Sequence, residues 1–172
     1  MVPFTEWLSQ TSFSLAIQTH LWIIPAIQSI HIAGIGVVVG SVFMIDLRVL
    51  GWAGRDQSLL ETVDRFGPWL TGALCVLLMT GTLMVVGEPA RELLAFSFWF
   101  KMCLVVTGTL IASVFRFTVR RNESHWEESL AKRRTTKWLA ILTLLIWVGI
   151  IILGRLIAYD HVWGAWSHAP KA

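Results

Sequence analysis

Polar and apolar positions fall into long blocks along this chain. Four apolar runs, at about 21–47, 66–87, 97–117 and 137–159, alternate with short charged connections. A helix needs roughly 20 such residues to cross a bilayer, so each run is long enough to span. Lipid leaves backbone groups no partner outside the segment, which restricts spanning structure to helices or closed barrels. The runs lack the alternation of a barrel strand. The pattern therefore predicts an all-α membrane protein, a bundle of four transmembrane helices.

Ahead of the first run, residues 4–18 place Phe4, Trp7, Leu8 and Leu15 among Glu6, Ser9, Gln10 and Thr11. This spacing predicts a short amphipathic helix lying at the membrane surface. Gly51 closes the first run, Gly67-Pro68 opens the second and Gly87-Glu88-Pro89 ends it. Ser124 and Glu127 have capping-box spacing and predict a further short helix. Gly36 and Gly40 form a GxxxG pair on the first run, consistent with close helix packing or with space for a flat cofactor.

Composition narrows the class. Of 172 residues, 55% are hydrophobic and 15% charged, which predicts one membrane domain over 1–172 without a separate soluble domain. The formal charge of +3 sits at helix ends and does not point to nucleic acid. Cys75 and Cys103 both fall inside spans and are expected as buried, inert thiols. No basic stretch, apolar core and cleavage site open the chain, so the first span is expected to direct insertion. Nucleophile triads, phosphate loops and paired catalytic carboxylates are not in evidence, and no catalytic activity of the chain's own is expected.

Charge also orients the bundle. The first connection carries Arg48, Arg55 and Arg65, the second only Arg91, and the third seven basic residues. Basic connections stay cytoplasmic, so both termini are expected outside, in the periplasm if the membrane is a bacterial inner membrane. Tryptophans agree: Trp7, Trp22, Trp99, Trp163 and Trp166 fall near one boundary, and Trp52, Trp69, Trp126 and Trp138 near the other. Only Trp147 sits deep.

The candidate chemistry lies in the few polar residues inside the runs, because ionisable groups are costly at that depth. At 1.5 Å per residue, His31 lies roughly 22 Å above Asp46, Lys101 roughly 22 Å above Arg116 and Arg155 roughly 27 Å above Lys137. Three helices thus place His31, Lys101 and Arg155 at similar height in the outer half. Gln28, one turn from His31, and Glu88 are candidates to join them. Lys101 and Arg155 are also near enough to the boundary to snorkel, and His31 also fits a neutral histidine bonded to a neighbouring helix.

An imidazole beside cations suits a b-type haem, with His31 on the iron and Lys101 and Arg155 on the propionates. The second axial position has no histidine at matching depth in the other spans. His20 is about 16 Å from His31 along one helix, and His161 would have to fold inward. Copper is the rival, with Met79, Met84, Met102, Cys75 and Cys103 as soft ligands. His161 and His168 form a further, weak metal pair. Asp46 and Arg48 are expected to anchor the inner boundary and pair with the inner connections.

The run His31-Ile32-Ala33-Gly34 through Gly40-Ser41, followed by Asp46-Leu47-Arg48-Val49-Leu50-Gly51, resembles the first-span signature of a bacterial family of small four-helix inner-membrane proteins, a domain of unknown function. Glu6-Trp7-Leu8, Trp22 with Pro25, Phe98 with Lys101-Met102, and Gly154-Arg155-Leu156-Ile157-Ala158 match it as well. The resemblance implies four spans and transfers no activity. The layout is more distantly similar to cytochrome b561-like and copper-resistance membrane proteins. The resulting expectation is a membrane subunit that binds haem or docks a redox or complex partner at the periplasmic face. The alternatives are metal or small-solute transport, or a structural anchor whose GxxxG face docks a larger complex or a second copy.

Overall fold

The structure, a computed structural model, describes residues 1–132 and 134–158. Every element among them is helical: α1 (Val2–Ser9), α2 (Ser12–Thr19), α3 (Ile23–Leu50), α4 (Leu59–Gly87), α5 (Pro89–Leu93), α6 (Phe96–Arg121), α7 (Glu123–Lys132) and α8 (Arg134–Ala158). Helices α3, α4, α6 and α8 are the four long enough and apolar enough to cross a membrane. They form a ring in chain order, in which α3 packs chiefly on α4, α6 on α8, and α3 and α8 close the bundle. The short helices divide between its ends, with α1, α2 and α5 at one (the α5 end) and α7 at the other (the α7 end).

The outward faces are apolar. Leu78, Leu110, Val114, Phe117 and Leu145 are each at least 60% exposed. A surface of this kind on three adjacent helices is far larger than the patches soluble monomers carry, and it suggests contact with lipid. Inside, two clusters make the core. Val38, Val42, Leu70, Ala73, Trp147 and Ile150 fill the middle, and Ile45, Val49, Leu59, Val63, Val119 and Ala140 fill the α7 end. Trp147 is thus a core residue, while Trp7, Trp22, Trp52, Trp69, Trp99 and Trp138 are all exposed, as the belt pattern requires.

Local chemistry sets the boundaries. Gly51 ends α3 with φ 74°, and the N–H groups of Gly51 and Trp52 return to the carbonyls of Arg48 and Leu47, a left-handed cap that glycine adopts without strain. Helix α4 begins at Leu59, well before the apolar run, because Ser58 and Glu61 form a reciprocal capping box. Pro68 consequently lies inside a helix rather than at its start. The expected single surface helix divides in two, because Thr11 is extended and its Oγ1 accepts from Ser14 N at 3.3 Å, starting α2 afresh. Helix α7 forms from Glu123, so Ser124 is its second residue and not its cap.

Three expectations change. Cys75 and Cys103 are exposed on the outer helix faces, so they are not buried thiols. A Cβ at Gly36 or Gly40 would meet nothing within 4 Å, so the GxxxG pair packs no helix among the described residues. Close packing falls instead at Gly34, against Leu77, and at Gly67, against Arg116. Asp46 is only 6% exposed inside the bundle and does not anchor a boundary.

Candidate functional site

His31 stands eight residues into α3, about 12 Å along the helix from its start. Its Nδ1 is 2.7 Å from Thr80 Oγ1 on α4. That hydroxyl also back-bonds to the Val76 carbonyl at 2.7 Å, which uses its single proton. The hydroxyl therefore accepts from Nδ1–H, and the hydrogen-bond network assigns the neutral tautomer with a bare lone pair on Nε2. Ring edge and backbone meet beside it, since a Cβ at Gly81 would lie 3.6 Å from His31 Cε1. Fixing one ring nitrogen through a hydrogen bond orients the other for ligation or proton acceptance.

Lys101 enters from α6, five residues after its start. Its ammonium lies against α8, where a Cβ at Gly154 would be 3.6 Å from Nζ. Lys101 lies within electrostatic range of both His31 and Glu92. Arg155, the neighbour of Gly154, is exposed, and Gln28 is half-buried one turn before His31. His31 and Lys101 thus lie within electrostatic range of each other.

Glu92 is the residue that sequence reasoning missed. Pro89 at the first position starts the short α5 and turns Glu92 inward, where it is 6% exposed. Burial pushes its carboxyl above the ordinary range; Lys101 and Arg91 oppose the shift and Glu88 adds to it. The signal was Glu88-Pro89 read as a helix start with a second glutamate one turn on. Glu88, the residue expected at the site, is instead paired with Arg91 at 2.5 Å and is about a third exposed.

Three of the five candidate soft ligands lie on the outer helix faces. Cys75 and Cys103 are exposed, and so is Met79 at 61%. Among the described residues no group of three or more His, Cys, Asp or Glu side chains is placed to hold a metal ion. His20 caps α2 and is exposed, and His125 is on α7, at the opposite end. His161, His168, Trp163 and Trp166 lie outside the described residues.

No curated protein and no solved structure matches the chain. The more distant likeness to cytochrome b561-like and copper-resistance proteins accordingly has no support from either comparison. Residues 4–160, which take in all four long helices, the His31–Thr80 pair, Glu92 and Lys101, match a family of unknown function (DUF6644), and the chain belongs to that family.

Proposed function

We propose that this chain is a multi-pass subunit of a bacterial inner membrane, with both termini and the α5 end on the periplasmic side, that binds a b-type haem through His31 and passes electrons to a partner at that face. The observation that carries the reading is the His31–Thr80 bond, which leaves Nε2 as the free lone pair of a half-buried imidazole. Such a group would take its imidazole from His31 and a cation for a propionate from Lys101. When bound, the group supplies iron that cycles between ferrous and ferric states. Thr80 orients the imidazole, Gly81 admits its edge, and the exposed apolar helix faces keep the site within lipid.

Oxidised and dithionite-reduced absorption spectra of the detergent-purified protein test this, with a pyridine haemochrome count. A b-type α-band that is lost in His31→Ala supports the assignment. Unchanged haem content in that variant sinks it.

A second reading, metal or small-solute handling at the same site, is favoured by one observation, the buried carboxyl of Glu92 within electrostatic range of Lys101. Elemental analysis of spectrally featureless protein separates the two. A structural anchor draws on Gly36 and Gly40, which face away from the bundle and offer a close-approach surface to another helix.

A further inference from the structure

At the α7 end, far from His31, the bundle holds a second polar site. We propose that a bound water molecule bridges the Asp46 carboxyl of α3 and the Arg116 guanidinium of α6 inside the helix bundle. Both residues line one cavity of about 40 Å³ between α3, α4, α6 and α8. Asp46 is 6% exposed, and its Oδ2 is buried with no hydrogen-bond partner among the described residues. Arg116 Nε is buried in the same condition. One is an acceptor and the other a donor, and they face a shared space.

The guanidinium is held there by construction. Its Nη1 donates to Gly67 O at 3.2 Å and to Thr71 Oγ1 at 2.9 Å, so α4 fixes one edge of the plane. A Cβ at Gly67 would lie 2.9 Å from both Cζ and Nε, so only glycine leaves the cradle open. Nε thus lies over Gly67, and both residues line the cavity.

Size and lining choose the ligand. A cavity needs roughly 10–15 Å³ to admit one water, whose share of liquid volume is about 30 Å³. The space takes a water and excludes any ring-sized organic molecule. A dry cavity of this size is expected to be wholly apolar, whereas this one presents Asp46, Arg116, Thr136 and Thr143. Thr143 donates to Leu139 O at 2.8 Å, which leaves its oxygen lone pair for a water proton. Ionisable groups within a spanning bundle face its interior or a water-filled space, and Asp46 and Arg116 both line such an interior space.

Radiolytic hydroxyl-radical footprinting of the full chain in lipid nanodiscs tests the site, because radicals born from bound water label adjacent side chains. Val63 (1% exposed) and Leu70 (7%) line the cavity, whereas Leu59 (0%) belongs to the same end of the core but does not. Val63 and Leu70 are expected to be labelled several-fold faster than Leu59, and Thr143→Leu, which fills the space, to bring them down to the Leu59 rate. Equal rates in the unmodified protein overturn the proposal. The bridge itself is read from thermal midpoints of Asp46→Asn, Arg116→Gln and the double variant: a double loss smaller than the sum supports it, and strict additivity overturns it.

Discussion

His31 Nδ1 and Thr80 Oγ1 stand 2.7 Å apart across the α3–α4 interface, a side-chain hydrogen bond between two of the four long helices. Because the threonine proton is committed to Val76 O, the pair has a direction, and the threonine is an acceptor that a valine of the same shape cannot replace.

Thr80→Val is therefore expected to lower stability by about 1–3 kcal/mol, the cost of leaving a half-buried donor unpaired. Thr80→Ser, which keeps the hydroxyl, is expected to lose much less. Thermal unfolding of both variants in detergent checks the difference. If His31 holds a haem, Thr80→Val also shifts its spectrum or midpoint potential while Thr80→Ser does not.

Glycine substitutions should separate by what surrounds each one. Gly67→Ala places a methyl 2.9 Å from the Arg116 guanidinium carbon and is expected to destabilise by about 1–3 kcal/mol. Gly36→Ala meets nothing within 4 Å, so the helix gains up to about 1 kcal/mol of propensity with no clash. Denaturation of the two variants side by side reads opposite signs. A large loss at Gly36 would instead reveal a contact made with another chain.

The contrast between these glycines also shows how far the sequence can be read. Long apolar blocks identify the four long helices because length and hydropathy are local properties. Gly51 was legible as a stop because its left-handed conformation follows from residue type. Which glycine packs was not legible, since that depends on the rotation of each helix about its axis. The same limit applies to the site. Depth counting placed His31 and Lys101 at one level, but it could not show that Thr80 lies opposite His31 or that Asp46 turns inward. Glu92 was hidden by a short helix whose orientation is set by Pro89 and by packing on α1 and α4 rather than by any periodic pattern.

Glu92 makes stability depend on pH. Its folded carboxyl titrates above the ordinary value of 4.5, because burial penalises the charge more than Lys101 and Arg91 relieve it, with Glu88 adding repulsion. A carboxyl raised on folding contributes stability that is full below the ordinary value and is lost as pH rises through the raised folded value. The thermal midpoint is therefore expected to fall between the ordinary carboxyl range and the raised one. Glu92→Gln should flatten that segment of the profile, measured by thermal unfolding across pH. An unchanged slope would mean that another group sets it.

The N-terminal helices are tied down by one buried hydroxyl. Ser14 is fully buried on α2, donates to Val86 O at the end of α4 at 2.7 Å, and accepts from Gln18 Nε2 at 2.8 Å. The Val86 carbonyl is in the last turn of α4, where intrahelical donors run out, so Ser14 satisfies a group that the helix cannot. Beside it Ile17 packs against Gly87, where a Cβ would come within 3.0 Å of its side chain, so α2 sits close on the α4 terminus. Removing the hydroxyl in Ser14→Ala strands the Val86 carbonyl, a cost of about 1–3 kcal/mol that falls on the docking of α2. Because α1 and α2 contribute few buried side chains beyond Ser14, Ile17 and Thr5, that cost is large relative to what holds them. Protease cleavage near Thr11, where the two helices part, is expected to become faster in Ser14→Ala while the four long helices stay protected. Cleavage at an unchanged rate would show that apolar contact with lipid or with α5 holds these helices without the serine.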